Sequence, residues 1–159
     1  MSLKISDVLP SLREETLTEI KSLSTSLNEL SSRYHNMVDF YDPVELEEIK
    51  RLFNGYMQRY ASLYSKIRKY KGSQHVYLED QRKQVKAEVM DRLLKTMKVS
   101  QADVFIYGDS EYVTKTELLM TLRGVMIKIE LMYDRYDVTY SSIVQSQSLA
   151  KREYEQNKR

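Results

Sequence analysis

Cysteine is absent from the 159 residues, which excludes disulfide bonds and thiolate metal ligands. The two histidines, His35 and His75, stand forty positions apart. A structural zinc site needs more ligands and closer ones, so both read as ordinary helix-surface residues. Proline occurs twice and glycine four times. So few breakers, in a chain rich in Leu, Lys, Glu, Arg, Ser and Tyr, favour long helices over a sheet or a loop-rich fold. No apolar run approaches the ~20 residues that span a bilayer. The opening segment MSLKISDVLPSLREE also lacks the apolar stretch and small-residue cleavage site of a secretory leader. The expectation is a cytoplasmic protein with no membrane partner.

Catalytic signatures are missing too. The chain contains no GxxxxGK[ST], HExxH, GxSxG or GxGxxG. Gly108-Asp109-Ser110 is a turn signal with no general base identifiable beside its serine. The expectation is a non-enzymatic protein that needs no cofactor. Glu130, Asp134 and Asp137 form the best carboxylate group, because steps of four and three place them on one helical face. Two such groups could hold a magnesium ion, but a solvated, ion-pairing flank is the favoured reading and no metal is assigned.

What the chain does have is heptad spacing. Ile20, Leu23, Leu27, Leu30, Tyr34, Met37 and Tyr41 alternate steps of three and four, after an S-x-x-E capping box at Ser11 and Glu14. Asp42-Pro43 reads as a stop and restart: Pro43 suits the first helical position and Asp42 can cap it. A second seam runs Leu46, Ile49, Phe53, Tyr56, Tyr60, Leu63, Ile67 and Tyr70, and slips near Gly72. Gly72 fits either a tolerated mid-helix glycine or a helix end with Ser73 capping the next. Beyond it Leu78, Val85, Val89, Leu93 and Met97 continue a thinner apolar line. Val104-Phe105-Ile106-Tyr107, followed by Gly108-Asp109 and Tyr112-Val113, predicts a small β-hairpin over 104–113. Thr114 and Glu117 then read as a capping box for a C-terminal helix over 116–155. Its seam is Leu119, Leu122, Met126, Ile129, Tyr133, Tyr136, Tyr140 and Ile143, with a second stripe at Leu118, Val125 and Met132.

These patterns predict an all-α fold in which long heptad-bearing helices form a helical hairpin or coiled-coil bundle. An acidic N-terminal helical arm would occupy 1–42 and a helical core 43–159. With 42% hydrophobic residues and a mean hydropathy of −0.56, the narrow seams bury little in one chain. The C-terminal seam, Leu119 to Ile143, is therefore expected to build a homo-oligomer.

Charge is unevenly distributed. Residues 1–48 hold ten acids and four bases, whereas the basic segment 49–78 holds no Asp or Glu. That segment carries Lys50, Arg51, Arg59, Lys66, Arg68, Lys69 and Lys71 among Tyr56, Tyr60, Tyr64, Tyr70 and Tyr77. A formal net charge of only +2 makes so local a positive field notable. Cations beside ring faces are what a single nucleic-acid strand needs from its groove. Arg59, Lys66, Arg68, Lys69 and Lys71 would contact phosphates, and Tyr64 and Tyr77, off the seam, would stack on bases. Tyr56, Tyr60 and Tyr70 lie on the seam and read as core. The competing expectation is that the cations pair with the acidic arm, as they would in a structural, assembly or adaptor protein such as a virion component.

Leu63-Tyr64-Ser65-Lys66, Glu79-Asp80-Gln81-Arg82-Lys83 and Val85-Lys86-Ala87 together resemble stretches of the UvsY-type recombination mediators of T4-like bacteriophages. The likeness covers residues 56–155. Glu88 stands where that family's motif has arginine, no aromatic pair with Ser-Gly follows Asp91, and residues 1–45 have no counterpart. The resemblance implies a DNA-binding protein of recombination and repair that helps load a recombinase onto single-stranded DNA. It adds Lys83 and Lys86 as DNA contacts. It further implies a homo-oligomeric ring, a recombinase and a single-strand-binding protein as partners, and the host cytoplasm as the location. RNA in place of DNA stays open.

Overall fold

The computed structural model describes residues 9–10, 14–37 and 42–157. Four helices account for almost all of them: α1 (Glu14–His35), α2 (Pro43–Leu93), α3 (Val99–Ile106) and α4 (Ser110–Asn157). The fold is all-α, and no strand occurs among the described residues. The predicted capping box at Ser11 and the seam position Tyr41 lie outside those residues.

Two compact units divide the chain. A terminal unit is formed by Arg13–Lys66 and Ile129–Arg159. A central unit is formed by Ile67–Lys128 with the described part of Met1–Leu12. The boundary falls inside the two long helices, so α1 is not a unit by itself. Instead α1 belongs to one unit with the start of α2 and the end of α4.

In the terminal unit three helices run up, down and up. Arg33 reaches Glu45 at 3.4 Å and Glu48 at 3.5 Å, and Arg59 pairs with Glu19, so α1 and α2 are antiparallel. The Tyr34 hydroxyl lies 2.8 Å from Ser146 Oγ, and the Tyr136 hydroxyl donates to Asn28 Oδ1 at 3.1 Å, so α1 and α4 are parallel. Asp42 Oδ1 accepts the Val44 backbone N–H at 2.9 Å, with Pro43 at the first helical position, and this cap starts α2 as its sequence predicts. The core is built from the expected seams: Ile20, Leu23, Leu27 and Leu30; Leu46, Ile49, Phe53 and Leu63; Ile129, Tyr136 and Ile143. Met57, not Tyr56, takes the buried position between Phe53 and Tyr60, a full turn from each on a helix of 3.6-residue pitch.

Aromatic rings fill the α2–α4 interface of this unit. Phe53 stacks on Tyr140 with centroids 6.2 Å apart and meets Tyr136 edge-on, while Tyr60 meets Tyr136 edge-on at 5.6 Å. Such pairs add about 0.5–1.5 kcal/mol each beyond their area burial. The Tyr60 hydroxyl is buried, which pushes its pKa up to about 12, and burial raises Tyr136 in the same direction. Buried Gln147 accepts a hydrogen bond from Lys50 Nζ at 2.7 Å, while its own Nε2 has no partner among the described residues.

The C-terminal seam assigned to oligomer contacts is turned inward. Leu119, Leu122, Met126, Ile129, Tyr136 and Ile143 are buried by the chain's own atoms, and Tyr133 and Tyr140 are half-buried. The expectation that one chain cannot cover this seam is corrected: further helices of the same chain close over it. Leu118, Val125 and Met132 are half-buried beside it.

In the central unit α2 continues through Gly72 and Ser73 without a break. Burial passes from Ile67 to Leu78 to Val89, in steps of eleven. Eleven residues make three turns of 3.67, closer to a straight helix than the heptad's 3.5. The slip near Gly72 is thus a change of repeat within one helix, and Gly72 is a mid-helix glycine, not a helix end. It carries Tyr70 out of the core, leaving it 46% exposed. The helix stops at Leu93, before Met97.

The predicted hairpin over 104–113 is wrong. Val99–Ile106 is α3, and α4 begins at Ser110. Ala102 and Ile106, four apart, turn the short helix inward, and Ile106 packs against Val85 and Val89 with Leu93 and Tyr112 at the edge. Burial of one helical face overrides the β-branched character of the run. The cap of α4 is Asp109, not Thr114. Asp109 Oδ1 accepts the N–H groups of Glu111 and Tyr112 at 3.0 and 3.2 Å, and its Oδ2 takes Arg92 at 2.5 Å. Thr114 instead lies inside the helix, its hydroxyl donating to Ser110 O.

Candidate nucleic-acid interface

The predicted site residues fall in different surroundings. In the terminal unit Arg59 is neutralised by Glu19, whose carboxylate raises the guanidinium pKa above its ordinary value. Tyr64 is not an open platform: it is half-buried and stacks on Tyr133, with centroids 5.5 Å apart and planes 12° from parallel. Both expectations are corrected, because α1 and α4 supply the partners that a linear reading of α2 does not contain. Lys66 is exposed, and Lys50 is engaged by Gln147.

The central unit keeps the rest together on one stretch of α2. Arg68, Lys69, Lys83 and Lys86 are exposed and Lys71 is half-buried. None of the five forms an ion pair among the described residues, where the pairs are Arg33 with Glu45 and Glu48, Arg59 with Glu19, His75 with Glu79, and Arg92 with Asp109. Pairing with the acidic N-terminal residues therefore accounts for Arg59 and leaves these five unmatched. Tyr77 is 55% exposed, and Tyr70, placed in the core by its seam position, joins it on the surface. Seven residues apart, the two rings share one stripe of the helix. At 100° per residue Lys69 and Lys83 lie about 90° and 130° to one side of that stripe, and Arg68 and Lys86 on the opposite side of the helix.

A hydrogen-bonded chain anchors one ring. Gln81 Nε2 donates to the Tyr77 hydroxyl at 2.8 Å, and Gln81 Oε1 accepts from Lys115 Nζ at 2.6 Å. Lys115 comes from α4, 34 positions away from Gln81, and brings a further cation to the tyrosine face. No spacing rule within α2 points to it. Only the antiparallel register of α2 and α4 does.

Other candidates do not gather into a site. Glu130, Asp134 and Asp137 are exposed along α4, and no group of three or more His, Asp or Glu side chains among the described residues is arranged to hold a metal ion. His35 bonds Ser31 O through Nδ1 at 2.6 Å, and His75 Nε2 lies 3.9 Å from Glu79. No helix among the described residues is long and apolar enough to cross a membrane.

Protein-family models, curated proteins and solved structures were all compared with the chain, and none matches it.

Proposed function

We propose that this chain is a non-catalytic protein that binds single-stranded nucleic acid through the α2 face of its central unit. One observation carries the reading: Arg68, Lys69, Lys71, Lys83 and Lys86 stand on the same stretch of α2 as two exposed tyrosines and have no carboxylate partner among the described residues. The cations would neutralise phosphates, and Tyr70 and Tyr77 would stack on bases at ~1–3 kcal/mol each. Such contacts read no base edges, so binding is expected to be indifferent to sequence and to favour single strands over duplex. DNA is the ligand proposed, with RNA distinguished by the same titration. The resemblance to UvsY-type mediators supports a role in loading a recombinase onto a strand covered by a single-strand-binding protein, in a host cytoplasm. Fluorescence anisotropy of a labelled single strand, titrated at two salt concentrations, tests the reading. Binding that does not respond to salt, or a preference for duplex, would contradict it.

A second reading, a structural or assembly protein working through helix contacts, is favoured by a different observation. Val104, Phe105 and Tyr107, at and beside the end of α3, are exposed together at the surface of the central unit, as protein-contact surfaces are. Changing Lys69 and Lys83 to Glu separates the two readings: it abolishes strand binding under the first and leaves any protein contact of α3 intact under the second.

A further inference from the structure

Tyr77 offers more than a ring face. Its hydroxyl accepts a hydrogen bond from Gln81 Nε2 at 2.8 Å, and Gln81 Oε1 accepts from Lys115 Nζ at 2.6 Å. The sense of this chain is fixed from the lysine end. An ammonium only donates, so it must meet the amide oxygen, and that turns the amide nitrogen towards the tyrosine. A flipped amide would set N–H against N–H at Lys115. The amide nitrogen offers no lone pair, so the phenol oxygen can only accept there and keeps its own hydrogen for another partner.

Nothing among the described residues takes that hydrogen, because the Tyr77 hydroxyl forms no other hydrogen bond there. Gln81 covers the side of the hydroxyl that faces the fold: on α2 it lies about 60° from buried Leu78, whereas Tyr77 lies about 100° away in the same direction. Gln81 and Lys115 are half-buried and Tyr77 is exposed, so the chain runs outward and ends on a proton presented to solvent. Lys115 has no ion pair among the described residues, and its charge stands behind that proton. The carboxylates closest in sequence, Asp80 three residues beyond Tyr77 and Glu111 four before Lys115, bond neither residue. A hydroxyl donor backed by an unmatched cation suits an anionic oxygen.

We infer that Tyr77 donates this hydrogen to a phosphate oxygen of the bound strand, with Gln81 and Lys115 as positioning residues that hold the phenol in its donating sense. The inference rests on the strand-binding reading and deepens it. Tyr77 meets the backbone through its hydroxyl as well as a base through its ring, and α4 contributes to an interface otherwise confined to α2.

Anisotropy of the full chain at low salt, on a labelled oligothymidylate and on an abasic oligomer of the same length, tests it. Tyr77→Phe keeps the ring and removes only the hydroxyl, so it should weaken binding about tenfold on both strands. Equal affinity of Tyr77→Phe and the wild type would show that the ring acts alone and overturn the inference. So would a loss confined to oligothymidylate, because the hydroxyl would then meet a base. Lys115→Met tests the positioning. Without the ammonium the amide is free to turn and accept the phenol hydrogen, so this change should weaken the wild type several-fold and Tyr77→Phe hardly at all. An equal cost in both backgrounds would make Lys115 an independent contact and overturn its positioning role. A wild type that binds neither strand discards the strand-binding reading and this inference with it, whereas strand binding that Tyr77→Phe leaves unchanged discards this inference alone.

Discussion

If strand binding works through unmatched cations, its salt dependence can be computed from the surface. Five side chains of the central unit, Arg68, Lys69, Lys71, Lys83 and Lys86, carry charge with no carboxylate partner among the described residues. Each phosphate neutralised on a single strand releases counterions worth ~0.7 in the slope of log K against log salt, so five contacts give a slope of about −3.5. Raising salt fourfold should then weaken binding about 130-fold. Changing Lys69 and Lys83 to Ala removes two contacts. The slope should fall to about −2.1 and the loss over the same salt range to about 20-fold. Tyr77→Ala should behave differently, costing ~1–3 kcal/mol of affinity at every salt with the slope unchanged, because stacking releases no counterions. Anisotropy titrations of the three proteins on one oligothymidylate, at four salt concentrations, give all the slopes. An unchanged slope for the double lysine variant, or a shallower one for Tyr77→Ala, would refute the assignment of phosphate contacts to the lysines and base contacts to the ring.

The other predictions concern stability. Tyr60 has its pKa raised to about 12 by burial, against ~10 in the unfolded chain, so the folded state holds that proton more tightly. Its contribution is fully present below pH 10 and is lost as pH rises from 10 through 12, by roughly 2–3 kcal/mol. Urea midpoints measured across that range should fall less steeply in Tyr60→Phe, and an identical fall would show that another group is responsible. Asp109→Ala removes the acceptor for two N–H groups at the start of α4 together with the Arg92 contact; it should cost about 1–2 kcal/mol in urea unfolding. Gly72→Ala should stabilise by about 0.5–1 kcal/mol, because the glycine lies within α2 and a Cβ there meets nothing within 4 Å. Destabilisation by that change would mean that the helix depends on glycine's freedom.

The helices themselves were legible because burial in a helix leaves a period in the sequence. Leu27 and Leu30, Ile49 and Phe53, and Leu122 and Ile143 are buried where their spacing puts them. The reading failed where the period changed or a segment was too short to have one. Tyr70 follows a heptad step from Leu63 but an eleven-residue repeat begins at Ile67, and the three-residue step from Ile67 sets Tyr70 about 60° off the line that Leu78 and Val89 continue. Val99–Ile106 spans barely two turns, and over that length β-branched content and helical spacing cannot be told apart without the Val85 and Val89 side chains on which Ile106 packs.

The candidate face divided along the same line. That Lys69, Lys83 and Lys86 are exposed follows from their position off the apolar rows, a property of α2 alone. Whether a cation or ring is free depends on what other helices bring to it, and a linear pattern does not carry that information. Arg59 meets Glu19 from forty positions upstream, Tyr64 meets Tyr133, and Tyr77 is anchored by Gln81 with Lys115 behind it. Two of these meetings withdraw a residue from the proposed interface, and the third orients one and adds a cation. The remaining face is smaller than the acid-free segment suggests and lies further along α2. The lysines of the resemblance to UvsY-type mediators, Lys83 and Lys86, and the two tyrosines all stand on that stretch of the helix. A strand-binding surface on this protein should therefore map to residues 68–86, and a footprint centred on Arg59 and Tyr64 would require the Glu19 and Tyr133 contacts to open first.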